Sequence, residues 1–217
     1  VYIIIQIKKM IFNKKKLVNN WKKNFKNSGS KIEEVNFIKY IQRKNKKIIL
    51  AFTDSVVRTK NNKTINRAAQ LEWPSVVIVP ILICGKTVKT LLIDQFRIGA
   101  GKHILDFPAG IIESNNIANS AIKEIKEELK ISIRKKDLIV LNKEPILMLP
   151  ASNSQKTYFF YFKKKVSKRF LKYINNSDSG CARDGEYLKI KVMNFKEIKK
   201  INISSVIIGL SLIKKII

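Results

Sequence analysis

The stretch Leu105-Asp106-Phe107-Pro108-Ala109-Gly110, followed by Ala118-Asn119-Ser120-Ala121-Ile122-Lys123-Glu124-Ile125-Lys126-Glu127-Glu128-Leu129-Lys130, decides the reading of this chain. Residues 104–107 read as a short strand running into a tight Pro-Ala-Gly turn. The spacing then predicts a helix over 118–130. Ala118, Ala121, Ile122, Ile125 and Leu129 fall at i, i+3, i+4, i+7 and i+11, which is one stripe of a helix. At ~100° per residue, Glu124 and Glu128 share a face away from that stripe, and Glu127 lies on the same side. Carboxylates so close repel one another unless a cation neutralises them, and hard oxygen ligands suit Mg²⁺ or Mn²⁺. The plainer alternative is a solvated face, with Lys123, Lys126 and Lys130 as partners at helical spacing. The context weighs against it. These are three of only 16 acidic residues in a chain with 44 Lys and Arg, and a tight turn stands just upstream.

Working outward, Trp73-Pro74 precedes Ser75 to Cys84, a β-branched run typical of a buried strand. Gly85-Lys86 turns the chain into a second strand, Val88 to Phe96. Gly99 to Gly101 is a loop, and His103, the one histidine, stands between it and the strand at 104–107, where a surface or structural role is expected. Upstream, Ile48 to Val57 reads as a strand, and Lys60-Asn61-Asn62-Lys63 as a hairpin turn. Residues 13–48 carry loosely spaced apolar residues, from Trp21 and Phe25 to Ile41, and are expected to form short helical or mixed elements. Downstream, Asp137 to Leu141, Thr157 to Phe162 and Glu186 to Val192 read as strands, and Ile203 to Ile213 as a last helix. Strands dominate the middle and helices cover them, which predicts an α/β protein with a mixed sheet. The expected boundaries are an N-terminal extension and small, mainly β subdomain at 1–72 and the main domain at 73–217.

Composition narrows the function classes. The net charge of +28 raises the possibility of a nucleic-acid partner. The basic residues are scattered through every segment, however, and the chain is crowded with Lys, Asn and Ile, whose codons can be built from A and T alone. A biased genome therefore accounts for the charge, and nucleic acid is not the expected partner. The surplus can still attract a small phosphorylated substrate. The longest apolar runs are too short to span a bilayer, so a soluble protein with no membrane partner is expected. Cys84 and Cys181 show no metal-binding or disulfide spacing, which fits a reducing compartment. Val1 to Phe12 is apolar and basic and contains Met10. It is compatible with a targeting remnant, without a clear cleavage pattern.

The residues around the turn and helix resemble a known family. Gly110 and Lys123-Glu124-Ile125-Lys126-Glu127-Glu128-Leu129-Lys130-Ile131 are similar to the Nudix box, whose helix carries R-E-x-x-E-E. Leu105 to Gly110 resembles the E-[FL]-P-A-G lead-in of the branch that hydrolyses ADP-ribose and ADP-sugars. Asp94-Gln95-Phe96-Arg97 resembles that branch's E-Q-[FY]-R strand end, and Asp184-Gly185-Glu186-Tyr187-Leu188-Lys189-Ile190 its late strand. The order and separations agree from about residue 73 to the C-terminus. Asn20-Trp21-Lys22-Lys23-Asn24 is also similar to a stretch near the start of plant-type ADP-sugar diphosphatases. Three departures fall within the box. It is one residue short, so that its first Glu position falls at or near Asn116. Lys123 replaces the Arg, losing a planar fork, and Lys130 replaces a Gly expected to take positive φ.

The resemblance implies a Nudix-type α/β/α sandwich and hydrolysis of an ADP-sugar pyrophosphate to AMP and a sugar phosphate, with Mg²⁺ or Mn²⁺. It implies Glu124, Glu127, Glu128 and the Ala109 carbonyl as metal ligands. Glu186 is implied as the base that takes the water's proton, with Glu127 also catalytic, and Arg97, Gln95 and Gly110 as substrate-binding residues. It further implies a homodimer in a cytoplasmic or plastid-type compartment. Trp73, Trp21 and Tyr187 are the aromatic residues available to an adenine. Other Nudix substrates, and a degenerate domain that binds a nucleotide or a partner without turnover, remain open.

Overall fold

The computed structural model describes residues 13–42, 47–113, 116–180 and 185–217. Val1 to Phe12, Cys181, Ala182 and Asp184, which entered the sequence reading, lie outside the described residues. The described residues form two compact units, one drawn from 13–42, 47–74, 113 and 147–156, the other from 75–112, 116–146, 157–180 and 185–217.

In the first unit, helix α1 (Lys14–Lys22) starts at Asn13, whose side chain accepts from the Lys16 amide at 2.8 Å and so satisfies an otherwise orphaned donor. Leu17 and Trp21 are its buried residues. Three antiparallel strands follow: β1 (Lys31–Gln42), β2 (Ile48–Arg58) and β3 (Thr64–Glu72). Strand β2 buries Ala51, Thr53, Ser55 and Val57 on one face, the alternation of a pleated strand. Strand β1 was not anticipated. Its pairing with β2 shifts register between Ile32 and Glu34 and again between Phe37 and Lys39. Each shift moves the apolar side chains out of strict alternation. The segment 147–156 is fastened to β3 by the Gln70 and Ser154 amides, which donate to the Ser152 and Gln70 carbonyls at 2.7 and 3.0 Å.

The second unit runs β4 (Ser75–Cys84), β5 (Thr87–Arg97), β6 (Lys102–Asp106), β7 (Ala109–Ile111), α2 (Ile117–Leu129), β8 (Leu138–Val140), β9 (Ile146–Leu147), β10 (Lys156–Lys165), α3 (Lys168–Ile174), β11 (Asp178–Ser179), β12 (Leu188–Asn194), α4 (Phe195–Ile198) and α5 (Ser204–Ile213). The sheet order is β11-β12-β5-β4-β10-β8, with β6 on β5, β7 on β4 and β9 on β10. Strand β10 pairs with β4 in parallel, whereas β4–β5, β5–β6 and β5–β12 are antiparallel, so the sheet is mixed. Strand β4 is buried along almost its whole length, as a central strand covered on both faces must be.

Side chains alternate along β4 and divide the core. Val76, Ile78 and Leu82 pack with Leu91, Ile93, Phe160, Phe162 and Ile190 against Ala121, Ile125 and Leu129 of α2. Val79, of opposite parity, meets α5 at Gly209. Helices therefore cover both faces, which is the expected α/β/α sandwich. Three local differences matter. His103 lies within β6, Glu186 precedes β12 rather than opening it, and α3 was not read from sequence. Among the described residues no helix is long and apolar enough to cross a membrane.

Candidate active site

The turn between β6 and β7 is held from three sides. The Phe107 amide donates to Asp106 Oδ1 at 2.7 Å, and the Pro108 carbonyl accepts from the Ile78 amide at 2.8 Å. Strand β7 pairs with β4, placing Ala109 opposite Val77 and Gly110 opposite Val76. Pro108 supplies no amide, so the turn spends its donors elsewhere. The Ala109 amide donates to Glu128 Oε2 at 3.0 Å, which ties the turn to the last turn of α2.

Gly110 meets the same helix one turn earlier. A Cβ built on it would fall onto the Glu124 carboxylate and within 2.6 Å of Glu124 Cγ. The position is therefore glycine for volume, since its backbone is ordinary extended strand. Helix α2 starts at Asn116, whose side chain accepts from the Asn119 amide at 3.2 Å. It ends at Lys130, held at φ 54° and ψ 26°, the left-handed conformation expected of the glycine in the family pattern.

Electrostatics show which groups come together. The Glu128 carboxyl is pushed well above the usual carboxylate range, mainly by burial and then by the negative charge of Glu124. The Ala109 amide opposes this rise, Glu186 adds to it, and Arg97 opposes it. The charges of Glu124, Glu186 and Arg97 are thus all felt at Glu128, although Arg97 ends β5 and Glu186 lies just before β12. Glu127 lies on the same helix. It is exposed and pairs with Lys123 at 3.5 Å along the helix surface. Gln95 lies half-buried on β5, two residues before Arg97 and on the same side of the strand.

Glu124 and Glu128 suit a hard divalent cation in donor type and in charge, since burial and mutual repulsion disfavour two bare carboxylates here. Among the described residues, however, no three His, Cys, Asp or Glu side chains stand close enough to hold a metal ion.

Other residues are now placed. Trp73 is fully buried and donates its indole N–H to the Ile48 carbonyl at 2.7 Å, so its ring is a packing element. Trp21 is also buried and meets Phe25 edge to face at 5.4 Å. Tyr187, 77% exposed, immediately follows Glu186. His103 Nδ1 lies 2.9 Å from Asp94 Oδ1 on an exposed strand surface. In the sequence Asp106 stands out only as part of the Leu105–Gly110 motif, and Ser205 does not stand out at all. The two are hydrogen-bonded, Ser205 Oγ donating to Asp106 Oδ1, and burial raises the Asp106 carboxyl. No sequence periodicity brings 106 and 205 together.

The fold is that of a Nudix-type hydrolase. No family model matches the chain. Over 134 residues it is 23% identical to Nudix hydrolase 14, chloroplastic, of Arabidopsis thaliana, a match covering 58% of this chain and 43% of that protein. The chain thus spans less than half the length of that relative. A crystal structure described as an ADP compounds hydrolase superimposes with a TM-score of 0.56 at 14% identity, covering 86% of this chain and 92% of that one. Sequence and fold together relate the chain to the Nudix hydrolases, as the box residues implied.

Proposed function

We propose that this protein hydrolyses the pyrophosphate bond of an ADP-sugar, ADP-ribose or ADP-glucose, giving AMP and a sugar phosphate with Mg²⁺ or Mn²⁺ as cofactor. The observation that supports the reading is the packing of Glu128 and Glu124 against Ala109 and Gly110, with the charges of Glu186 and Arg97 felt at Glu128. Glu124, Glu128 and the Ala109 carbonyl would hold the cation. When bound, it offsets the charge of the pyrophosphate and of the two carboxylates. Arg97 binds a phosphate, its guanidinium suited to two oxygens at once, and Gln95 lines the same side of β5. A water oxygen bonds to one phosphorus as the bridging P–O bond breaks. Glu186 takes the water's proton, and the bridging oxygen leaves on the other phosphate. Glu127, paired with Lys123, supports this arrangement from the helix surface.

Incubation with ADP-ribose, ADP-glucose, a diadenosine polyphosphate and a nucleoside triphosphate in Mg²⁺, following AMP release, tests the reading. AMP from an ADP-sugar is expected. Preference for another substrate overturns the sugar assignment, and full activity in Glu128→Gln overturns the metal ligand.

One specific pair of observations favours a second reading, nucleotide binding without turnover. Asn116 is spent as a helix cap near the family's first Glu position, and Glu127 faces Lys123. Tight binding of ADP-ribose with no product in the same assay selects it. We also propose a homodimer, a domain boundary at 72/73 and a cytoplasmic or plastid-type compartment.

A further inference from the structure

Helix α5 reaches the candidate site without contributing a carboxylate to it. Ser205 and Gly209 are four residues apart and so lie on one helix face. Ser205, buried, donates its hydroxyl to Asp106 Oδ1, the same oxygen that accepts the Phe107 amide. Gly209 lies so close to Phe107 that a Cβ there would come within 2.7 Å of the ring, and within 3.1 Å of Val79 on β4. Phe107 itself is 2% exposed. The two residues that open the turn are therefore gripped by α5, one through a hydrogen bond and one through packing. Two residues further on, the Ala109 amide meets Glu128 at 3.0 Å. The Arg97 charge acts on the half-buried Asp106 as well as on Glu128.

We propose that Asp106, Ser205 and Gly209 are positioning residues: α5 sets the Phe107–Gly110 turn, and through it the Ala109 amide on Glu128. The arrangement can fix the turn only while all three contacts hold. The buried Asp106 oxygen has two donors, and losing the Ser205 hydroxyl leaves it with one, so the turn gains freedom at its first residue. The Gly209 contact admits no added atom, so Phe107 has one seat against α5.

The consequence for catalysis rests on the proposed hydrolysis, but the positioning is measurable without it. Amide hydrogen exchange of the full chain by NMR reads the Ala109 amide directly, with Leu91 and Leu92 on β5 as internal references. In Ser205→Ala the Ala109 amide should exchange about tenfold faster or more, the scale of losing a hydrogen bond to a charged group, while Leu91 and Leu92 keep their rates. Asp106→Asn retains an acceptor oxygen and should keep Ala109 near the parent rate. Gly209→Ala leaves the hydroxyl intact but presses a methyl on Phe107, and should speed Ala109 exchange selectively as well. An unchanged Ala109 in either Ser205→Ala or Gly209→Ala, or equal acceleration at Leu91 and Leu92, overturns the proposal. Where the parent protein hydrolyses an ADP-sugar, kcat should fall about tenfold in Ser205→Ala with KM within about twofold. A parent protein without turnover sinks the hydrolysis and leaves the exchange result standing.

Discussion

Gly110→Ala separates the stability of this fold from the geometry of its site. The added methyl would lie within 2.6 Å of Glu124 Cγ and closer still to the carboxylate. Ordinary carbon contacts begin near 3.4 Å, so Glu124 must retreat by about 0.8 Å at Cγ, and further at its oxygens. The obstacle is a flexible side chain, and Gly110 has an extended backbone that alanine adopts freely. Unfolding should therefore change little, by about 1 kcal/mol at most. On the proposed function the carboxylate cannot move so cheaply, because a displacement near 1 Å at a catalytic group costs about a hundredfold in rate. Three measurements settle the matter: Mn²⁺ affinity by electron paramagnetic resonance, AMP release from an ADP-sugar, and Tm. The expected result is a Tm within a few degrees of the parent, Mn²⁺ affinity down by about ten- to a hundredfold, and turnover down by about a hundredfold. A variant that keeps both Mn²⁺ affinity and turnover within twofold of the parent would refute the claim that Glu124 must rest on a bare backbone.

Lys130→Gly should stabilise the protein by about 0.5–1 kcal/mol, because lysine at φ 54° is strained. Thermal unfolding should then show a Tm higher by about 1–4 °C, and no gain beside Lys130→Ala sinks the strain argument. Arg97→Lys keeps the charge but loses the planar fork, so KM for an ADP-sugar should rise about tenfold or more, with Tm unchanged. An unmoved KM removes Arg97 from substrate binding. Glu197 is held below the ordinary carboxylate range by the Asn194 backbone and side chain, and its carboxylate accepts the Asn194 amide at 2.8 Å. With a folded value below the unfolded one, its contribution is present above the ordinary range and lost as pH falls through the folded value. Tm in Glu197→Gln should therefore fall below that of the parent near neutral pH and converge with it in acid. Parallel curves would exclude the capping role.

The central sheet was legible because strand β4 is buried on both faces and reads as an unbroken apolar run. The helix α2 stripe was legible because one face alone meets the core. Strand β1 was not, since its register shifts scatter Ile32, Val35 and Phe37 across the alternation. Strand β3 was not either, because most of its side chains are exposed and no apolar face announces it. Within the candidate site, sequence spacing linked Glu124 and Glu128, which share a helix face. It gave Glu127 to the same group, and that side chain is exposed and pairs with Lys123 one turn earlier on the helix. Glu186 and Arg97 joined the carboxylates only through resemblance, because strands β5 and β12 become neighbours by sheet topology and not by any local period. The Asp106–Ser205 bond spans almost half the chain, and nothing in either segment signals it.

The two glycine positions of the box obey different rules. At Gly110 the demand is for empty space, and any side chain trespasses on its neighbour. At Lys130 the demand is only for an angle, which lysine can adopt at a modest energetic penalty. A lineage pressed by its base composition toward lysine codons can therefore drift at the second position and not at the first. The sequence, read this way, records where its folded geometry is negotiable: torsion can be conceded, occupied volume cannot.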